Sequence, residues 1–562
     1  MTQPLKPIDA GEVQLGKLFT AEYDFAIPDY QRPYAWGKDE TLQLLDDLQS
    51  ALDRDTDEPY FLGSVVLVKE KGIATAEVID GQQRLTTLTI VFSVLRDLAM
   101  NPSLRADIQK FVEEPEVVWD NRPAKPRLKL RDRDTKFFRE NIQTDGAIAA
   151  LMSLSDNHVK TDAQKSIRDN AEALHEALAE WTDDERKRLF VMMASRTFLV
   201  VVSTPDLNSA YRIFSVMNAR GLPLTPPDIF KSQMVGAISE SDRGNYADLW
   251  EDLEEELGRV EFGNLFLYLR TIVSQARAER GLLVEFPKQV LNNYLPANGK
   301  AFIDDLLGPY SLADQRLINQ DFDGGGPWDD VNAWLKRLVQ LDNDDWRPAA
   351  LWALKNHKDD PAFLNSFLRK LERLAASFLL RRVYTTPRVA RYLELLKQLD
   401  AGDGLDAKAF ILSDEEKKQT CERIGGEIYL VKQVRKYVLL RLDSIIADDP
   451  GASYTHKIIT VEHVLPQNPK VDSQWLDDFT EDQRAHWTHR LGNLLLLNRT
   501  KNSQAQNFDF DVKKSKYFTS GKGAALFALT TQVLSCQEWT PTVVEQRQTE
   551  LTRKLTDEWE LN

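Results

Sequence analysis

One stretch near the end of the chain, from His456 to Asn502, limits most sharply what this sequence can fold into. It reads HKIITVEHVLPQ, passes through a spacer containing Trp and His, and closes on HRLGNLLLLNRTKN. His456, His463, His486 and His489, four of the seven histidines, lie in it. Ile458 to Val461 predicts a short strand, and Pro466 stops it. Leu491 to Leu497 predicts a second strand, or a strand entering a turn, and Asn498 to Asn502 the start of a helix. Neighbouring residues at a strand end point to opposite faces, so Glu462 can bind a metal while His463 meets a water. Phosphodiester hydrolysis asks for a water deprotonated near neutral pH and a divalent cation on the scissile phosphate. A neutral histidine suits the first task, and hard oxygens from a carboxylate and an amide suit Mg²⁺ for the second. Glu462, His463, Asn493 and Asn502 supply these parts.

EHVLPQ, LGNLLLL and the placing of Asn502 nine positions after Asn493 resemble the HNH (ββα-metal) nuclease motif. The likeness is to the C-terminal domain of GmrS–GmrD-type modification-dependent restriction enzymes, and it continues weakly into NFDFDVKKSKYF. The resemblance implies Glu462 and Asn502 as ligands of Mg²⁺ or Mn²⁺, His463 as general base and Asn493 as the residue that holds the base in place. Many HNH proteins carry His where this chain has Asn502.

The chain has 562 residues, too many for one core, and length alone argues for three or four domains. Its apolar fraction of 42% and charged fraction of 28% describe a soluble globular protein, and no apolar run approaches membrane-spanning length. The start, MTQPLKPIDA, lacks the basic and apolar regions of a signal peptide. Cys421 and Cys536 cannot build a disulfide framework or a Cys₄ zinc site, which fits a reducing cytoplasm. The net charge of −16 argues against indiscriminate coating of nucleic acid but leaves room for local patches. One lies between Arg369 and Lys397, with eight Lys or Arg against two Asp or Glu, Arg381 and Arg382 among them. It reads either as a solvated helix face or as a track for a DNA backbone. A second basic group, Lys513, Lys514 and Lys516 beside Tyr517 and Phe518, is a further place for phosphate contacts.

Towards the N-terminus, Pro28 and Pro33 predict an extended, turn-rich segment over residues 13 to 36. Gln31 and Arg32 with Tyr30, Tyr34 and Trp36 form either an aromatic loop packed on its own domain or a set that holds a nucleotide. Residues 39 to 52 predict an amphipathic helix. FLGSVVLVK and AEVID predict strands, and LTTLTIVFSVLRDL, directly after GQQR, predicts a helix. A helix starting there offers free N–H groups to an anion, and Arg84 adds a guanidinium fork. Asp80 would hold a metal-bound water or orient Arg84. The chain contains no GxxxxGK[ST]. IPDYQRPYAW with VIDGQQRLTTL resembles the N-terminal domain of the same restriction family, related to the ParB/sulfiredoxin fold. That resemblance implies nucleoside-triphosphate binding and hydrolysis coupled to DNA cleavage. It assigns Asp80, Gly81, Gln82, Gln83 and Arg84 to the phosphate site, with Thr86 and Thr87 as helpers. Residues 162 to 194 predict helix and FLVVVSTP a buried strand. In AYRIFSVMNARGLPLTPPDIFKSQM one helix ends at Gly221 and another begins with Thr225 as N-cap. The family's pattern places Asn218 and Arg220 at the nucleotide site.

Residues 241 to 420 predict mostly helix, with GGGP at Gly324 to Pro327 a loop or hinge. Helix KQVRKYVLLRLDSII is expected to pack on the nuclease domain, entered through the loop from Asp448 to Gly451. The expected fold class is α+β, predominantly helical. It comprises a ParB/sulfiredoxin-like domain over 1–240, a helical linking domain over 241–420 and an HNH domain over 421–562. The expected function is an NTP-regulated, metal-dependent endonuclease of phage defence. Its substrate by family analogy is modified DNA, either glucosylated or hydroxymethylated at cytosine or phosphorothioate-bearing, and a double-strand cut would call for a homodimer. The alternative is a nucleotide-responsive DNA-binding sensor whose nuclease fold is inactive or serves a partner. An enzyme acting on RNA ranks below both, since the chain carries no RNP aromatic pair.

Overall fold

The computed structural model describes residues 8–54, 58–205, 209–210, 213, 225–322, 324–447, 459–498, 507–518 and 527–562. The chain is α+β and predominantly helical. It divides into two compact units, Met1–Asp252 with Leu295–Lys300, and Leu253–Tyr294 with Ala301–Asn562. Among the described residues no helix is long and apolar enough to cross a membrane.

The first unit rests on a mixed sheet. Among the described residues its strands are β1 (Asp9–Gln14), β2 (Asp24–Ala26), β3 (Tyr60–Val68), β4 (Thr75–Asp80), β5 (Leu128–Lys129) and β6 (Thr197–Thr204). Their spatial order is β1-β6-β3-β4-β2-β5. β3 runs parallel to β6 and antiparallel to β4, and β2 runs parallel to β4. The β-branched runs sit centrally, with Val65, Val66, Leu199 and Val202 buried, as strands covered on both faces require. α1 (Lys38–Asp53) buries Leu44, Leu45 and Leu48 on one stripe. α2 (Gln82–Leu98) is apolar around most of its circumference and lies in the interior. α3 (Asp162–Ala179) and α4 (Asp183–Arg196) split the predicted helical stretch at Thr182, which caps the second with Glu185. Thr225 opens α5 (Pro226–Gly236), its backbone N–H and hydroxyl both bonded to Asp228. The segment from Val13 to Trp36 is less extended than expected, since it includes a one-turn helix, Leu15–Leu18, whose two leucines reach the core.

The second unit carries α6 (Arg259–Ser274), α7 (Gly308–Asn319), α8 (Pro361–Arg381), α9 (Thr385–Asp400) and α10 (Lys432–Ile446). An antiparallel pair follows, β7 (Ile459–His463) and β8 (Leu494–Asn498), then α11 (Phe510–Phe518) and α12 (Pro541–Glu558). Gly324, Gly325 and Gly326 all take positive φ, and Pro327 then starts a helix. α10 packs against both β7 and β8, as its sequence predicts. A buried carboxylate ties the early helices of this unit to its last residues. Glu372 of α8 accepts from Tyr437 Oη, from Arg441 Nε at 3.2 Å and from Trp559 Nε1 at 3.0 Å.

Candidate active site

β7 and β8 pair with Leu494 opposite His463 and Leu495 opposite Glu462. Before β8 the chain makes a 3₁₀ turn, Leu491–Asn493, where strand was expected from Leu491. Close packing explains the turn. A Cβ on Gly492 would stand 2.5 Å from the carbonyl oxygen of Val544 in α12, so only glycine lets the turn lie on that helix. Gly492 N–H donates to Gln548 Oε1 at 2.7 Å, and the buried guanidinium of Arg547 bonds the carbonyls of Leu491, Gly492 and Leu494 at 2.8–3.0 Å.

The anchored turn presents Asn493, whose side chain is fully buried. Its Oδ1 accepts from Leu465 N–H at 2.7 Å and its Nδ2 donates to the carbonyls of Leu465 and Thr488 at 2.9 and 3.0 Å. Asn493 therefore fixes the chain two residues beyond His463 and does not touch the imidazole. His463 is buried, its Nε2 3.3 Å from His489 Nδ1 and its Nδ1 3.3 Å from the Nε2 of the exposed Gln467. The Tyr429 ring lies 4.0 Å away, centroid to centroid. Burial, then the nearby His489, Lys513 and Arg435, push the imidazole down to about 3, so it is neutral at physiological pH.

Glu462 leaves the strand beside it and meets Lys513 of α11 at 3.3 Å. Lys513 Nζ also donates to the carbonyls of His463 and Val464 at 2.6 and 2.9 Å. Burial raises the Glu462 carboxyl above its ordinary range, opposed by Lys513, and burial lowers the ammonium in turn. Among the described residues no group of three His, Cys, Asp or Glu side chains gathers to hold a metal ion. Glu462 offers one hard oxygen donor of the kind Mg²⁺ takes. The second expected ligand, Asn502, and the expected helix start after Asn498 lie outside the described residues.

In the first unit, β4 ends at Asp80, and Gly81 turns the chain into α2 with φ of +92°. A side chain there would meet Val65 Cγ2 at 2.8 Å, so both conformation and space demand glycine. Burial raises the Asp80 carboxyl, opposed by the Gly81 N–H and by the guanidiniums of Arg84 and Arg32. Two arginines thus flank one acid at the start of a long helix. Arg84 Nη1 is tethered to the Ser64 carbonyl at 3.0 Å.

Two family models match the chain. The GmrSD restriction endonuclease N-terminal domain covers residues 15–235, and the GmrSD restriction endonuclease C-terminal domain covers 412–554. The chain belongs to the GmrSD family of type IV restriction endonucleases. Membership makes it a nuclease of the phage-defence type with DNA as its partner. No curated protein matches it. The GmrSD N-terminal match contains the Asp80–Arg84 turn, and the C-terminal match contains Glu462, His463, Asn493 and Lys513.

Several residues expected at these GmrSD sites have other work. Gln83 Oε1 accepts from the N–H groups of Ala35 and Trp36 at 2.7 and 3.1 Å and its Nε2 donates to the Pro33 carbonyl at 3.1 Å. It braces the aromatic loop, with one of its two amide hydrogens committed to Pro33. Gln31 is buried against the Ile79 carbonyl at 3.3 Å. Thr86 and Thr87 lie inside the core, Thr87 bonded to Tyr34. Gln82 is buried beside them. Asn218 and Arg220 lie outside the described residues. The basic residues expected as DNA contacts differ in their exposure and partners. Lys513 is fully buried, and Lys514 is bonded to the Cys536 carbonyl at 2.6 Å. Arg381 pairs with Glu416 at 3.1 Å, while Arg382 stays exposed at the end of α8. The structure adds His489, Tyr429, Gln467 and Lys513 to the His463 surroundings. His489 stands four residues before Asn493, so the HRLGN spacing could have flagged it. Nothing local in the sequence links Tyr429 to the block.

Proposed function

We propose that this chain is an NTP-regulated, divalent-metal-dependent DNA endonuclease that cuts modified phage DNA. The modification is glucosylated or hydroxymethylated cytosine, or phosphorothioate. One observation carries this reading: a neutral imidazole, His463, on a strand end that Asn493 and Lys513 hold in place, with a carboxylate beside it. Gln467 donates to His463 Nδ1, which makes Nδ1 the nitrogen with the lone pair and leaves Nε2 bonded to His489. The Nδ1 side is covered by an exposed amide, so a water that displaces Gln467 reaches the base. Taking the proton creates an imidazolium among His489, Lys513 and Arg435, and the negative phosphate of the substrate offsets that charge. Mg²⁺ or Mn²⁺ held by Glu462 and Asn502 would bind the scissile phosphate and offset charge on the leaving oxygen. In the first unit, Arg32 and Arg84 beside the N-terminus of α2 suit the phosphates of a nucleoside triphosphate. A homodimer would supply one such nuclease site to each DNA strand.

The test is cleavage of glucosylated, hydroxymethylated, phosphorothioate and unmodified DNA with Mg²⁺ or Mn²⁺, with and without each NTP. His463→Ala should lose roughly 10²-fold or more in cleavage rate with its melting temperature kept. Equal cutting by both proteins would remove His463 from the chemistry. Arg84→Ala should lose NTP turnover, and unchanged turnover would move the nucleotide site elsewhere. A second reading, a DNA sensor with an inactive nuclease fold, is favoured by the Lys513 ammonium already seated against Glu462. Full protection against phage in cells carrying His463→Ala would establish it.

A further inference from the structure

The second unit holds a cavity of about 340 Å³ that the nuclease chemistry does not use. It lies among α6, the segment Arg277–Glu285, the turn at Asp344–Asp345 and the first turns of α9. Its volume falls at the small end of ligand sites. The walls are apolar and aromatic, with Leu267, Leu393, Tyr268 and Tyr392 among them. Tyr392 is buried, and its hydroxyl has no hydrogen-bond partner among the described residues.

The charge around the cavity is one-sided. Each carboxylate lining it is already paired: Glu285 with Arg270 at 2.9 Å, Asp344 with Arg347 at 3.0 Å, and Asp345 with Arg388. Arg277 and Arg280, both exposed, make no ion pair among the described residues and line the same cavity. α9 adds to this. Thr385 and Thr386 line the cavity in its first turn, which holds no acid, and the N-cap Tyr384 offers those N–H groups no side-chain oxygen. Two free guanidiniums and an uncapped helix start favour an anion at the mouth, and the aromatic slot favours a flat body within.

We infer that this cavity receives one nucleoside monophosphate unit, its base against Tyr268 and Tyr392 and its phosphate at Arg277, Arg280 and the start of α9. Tyr384 favours a nucleotide turned out of a DNA strand over a free one. It immediately precedes Thr385 and is 86% exposed, a side chain placed to enter the gap an extruded base leaves. The inference deepens the modified-DNA reading and rests on it for the choice of DNA, because a pocket that takes an extruded base is where a base modification would be read.

The experiment uses the full chain in EDTA. The probe is a duplex with one 5-hydroxymethylcytosine and a neighbouring 2-aminopurine, beside its unmodified twin. The free arm is titration with 5-hydroxymethyl-dCMP and with inorganic phosphate. Wild type should raise the 2-aminopurine signal severalfold. Arg277→Ala/Arg280→Ala should weaken duplex binding by roughly tenfold. Tyr384→Ala should abolish the signal while leaving the melting temperature unchanged. Binding of free 5-hydroxymethyl-dCMP that the arginine pair controls, without a duplex signal, would support the cavity and assign it to a free nucleotide. Wild-type affinity and signal in all these variants would overturn the inference, even if the enzyme cuts modified DNA. Variant-sensitive binding by a protein that cuts no DNA would keep the cavity's assignment and sink the endonuclease reading.

Discussion

Lys513 shows how one residue can mislead a reader of sequence. It sits in a run of lysines followed by aromatics, a pattern that reads as a phosphate-binding surface, yet its ammonium is fully buried against Glu462 and two carbonyls. Local sequence carries the charge of a side chain but not the fold that closes over it. Replacing it by Met would leave the half-buried Glu462 carboxylate without its cation. Lys513→Met should lower stability by about 3 kcal/mol, read as a fall in the urea midpoint. An unchanged midpoint would mean the ammonium is not a structural member. Asp314 of α7 gives a second prediction. Both its oxygens are buried without hydrogen-bond partners among the described residues, and burial pushes its carboxyl up to about 7. The folded chain keeps this proton through a window from near pH 4 to near pH 7 in which the unfolded chain has released it. Stability from this group is therefore complete below that window and is lost as pH rises through it, by up to about 4 kcal/mol. Asp314→Asn should flatten the decline in urea midpoint between pH 5 and pH 8 and be the more stable protein at pH 8. The same slope in both would show that Asp314 does not titrate there.

Elements were more legible than side-chain roles. The strands of FLGSVVLVK, AEVID and FLVVVSTP, the helix after GQQR and the strand before Pro466 all form close to where β-branched runs, periodicity and a glycine turn place them. What sequence missed was the 3₁₀ turn Leu491–Asn493, because apolar residues in succession look alike in a strand and in a buried turn. Tertiary packing decides the difference, through Gly492 on α12. Gly492→Ala forces a methyl into the Val544 carbonyl, and overpacking of this kind costs about 1–3 kcal/mol. Because Asn493 rides on the turn, cleavage should fall along with the melting temperature, whereas an exposed control such as Arg382→Ala should leave the melting temperature alone. Full activity in Gly492→Ala would separate the turn from the site. For the candidate site itself, the motif named Glu462, His463 and Asn493, which the fold places around the end of one strand. It did not reveal that Asn493 acts on the backbone at Leu465 or that His489 covers one ring nitrogen, contacts between residues 26 or more positions apart, nor that Gln467, four residues on, covers the other.

At the scale of the molecule, α8, α10 and the residues after α12 meet on one carboxylate in the second unit. Trp559 is buried, and its indole N–H completes the shell of donors around Glu372. Trp559→Ala should cost about 3–5 kcal/mol from lost packing, more than an exposed substitution on the same helix. Limited proteolysis should then open the helical stretch around α8 and the β7–β8 pair together. Cleavage confined to the last helix would show that the elements of this unit unfold separately. Sequence pattern gave no hint of this junction, as Glu372 and Trp559 are 187 positions apart. Such long separations matter for how the protein is made. A nascent chain on the ribosome that has reached α10 already carries Glu372, Tyr437 and Arg441, but not the indole that seals them. Glu372 therefore gains its indole donor only after translation has passed residue 559, and until then that acid has a place open to whatever chaperone or water is at hand.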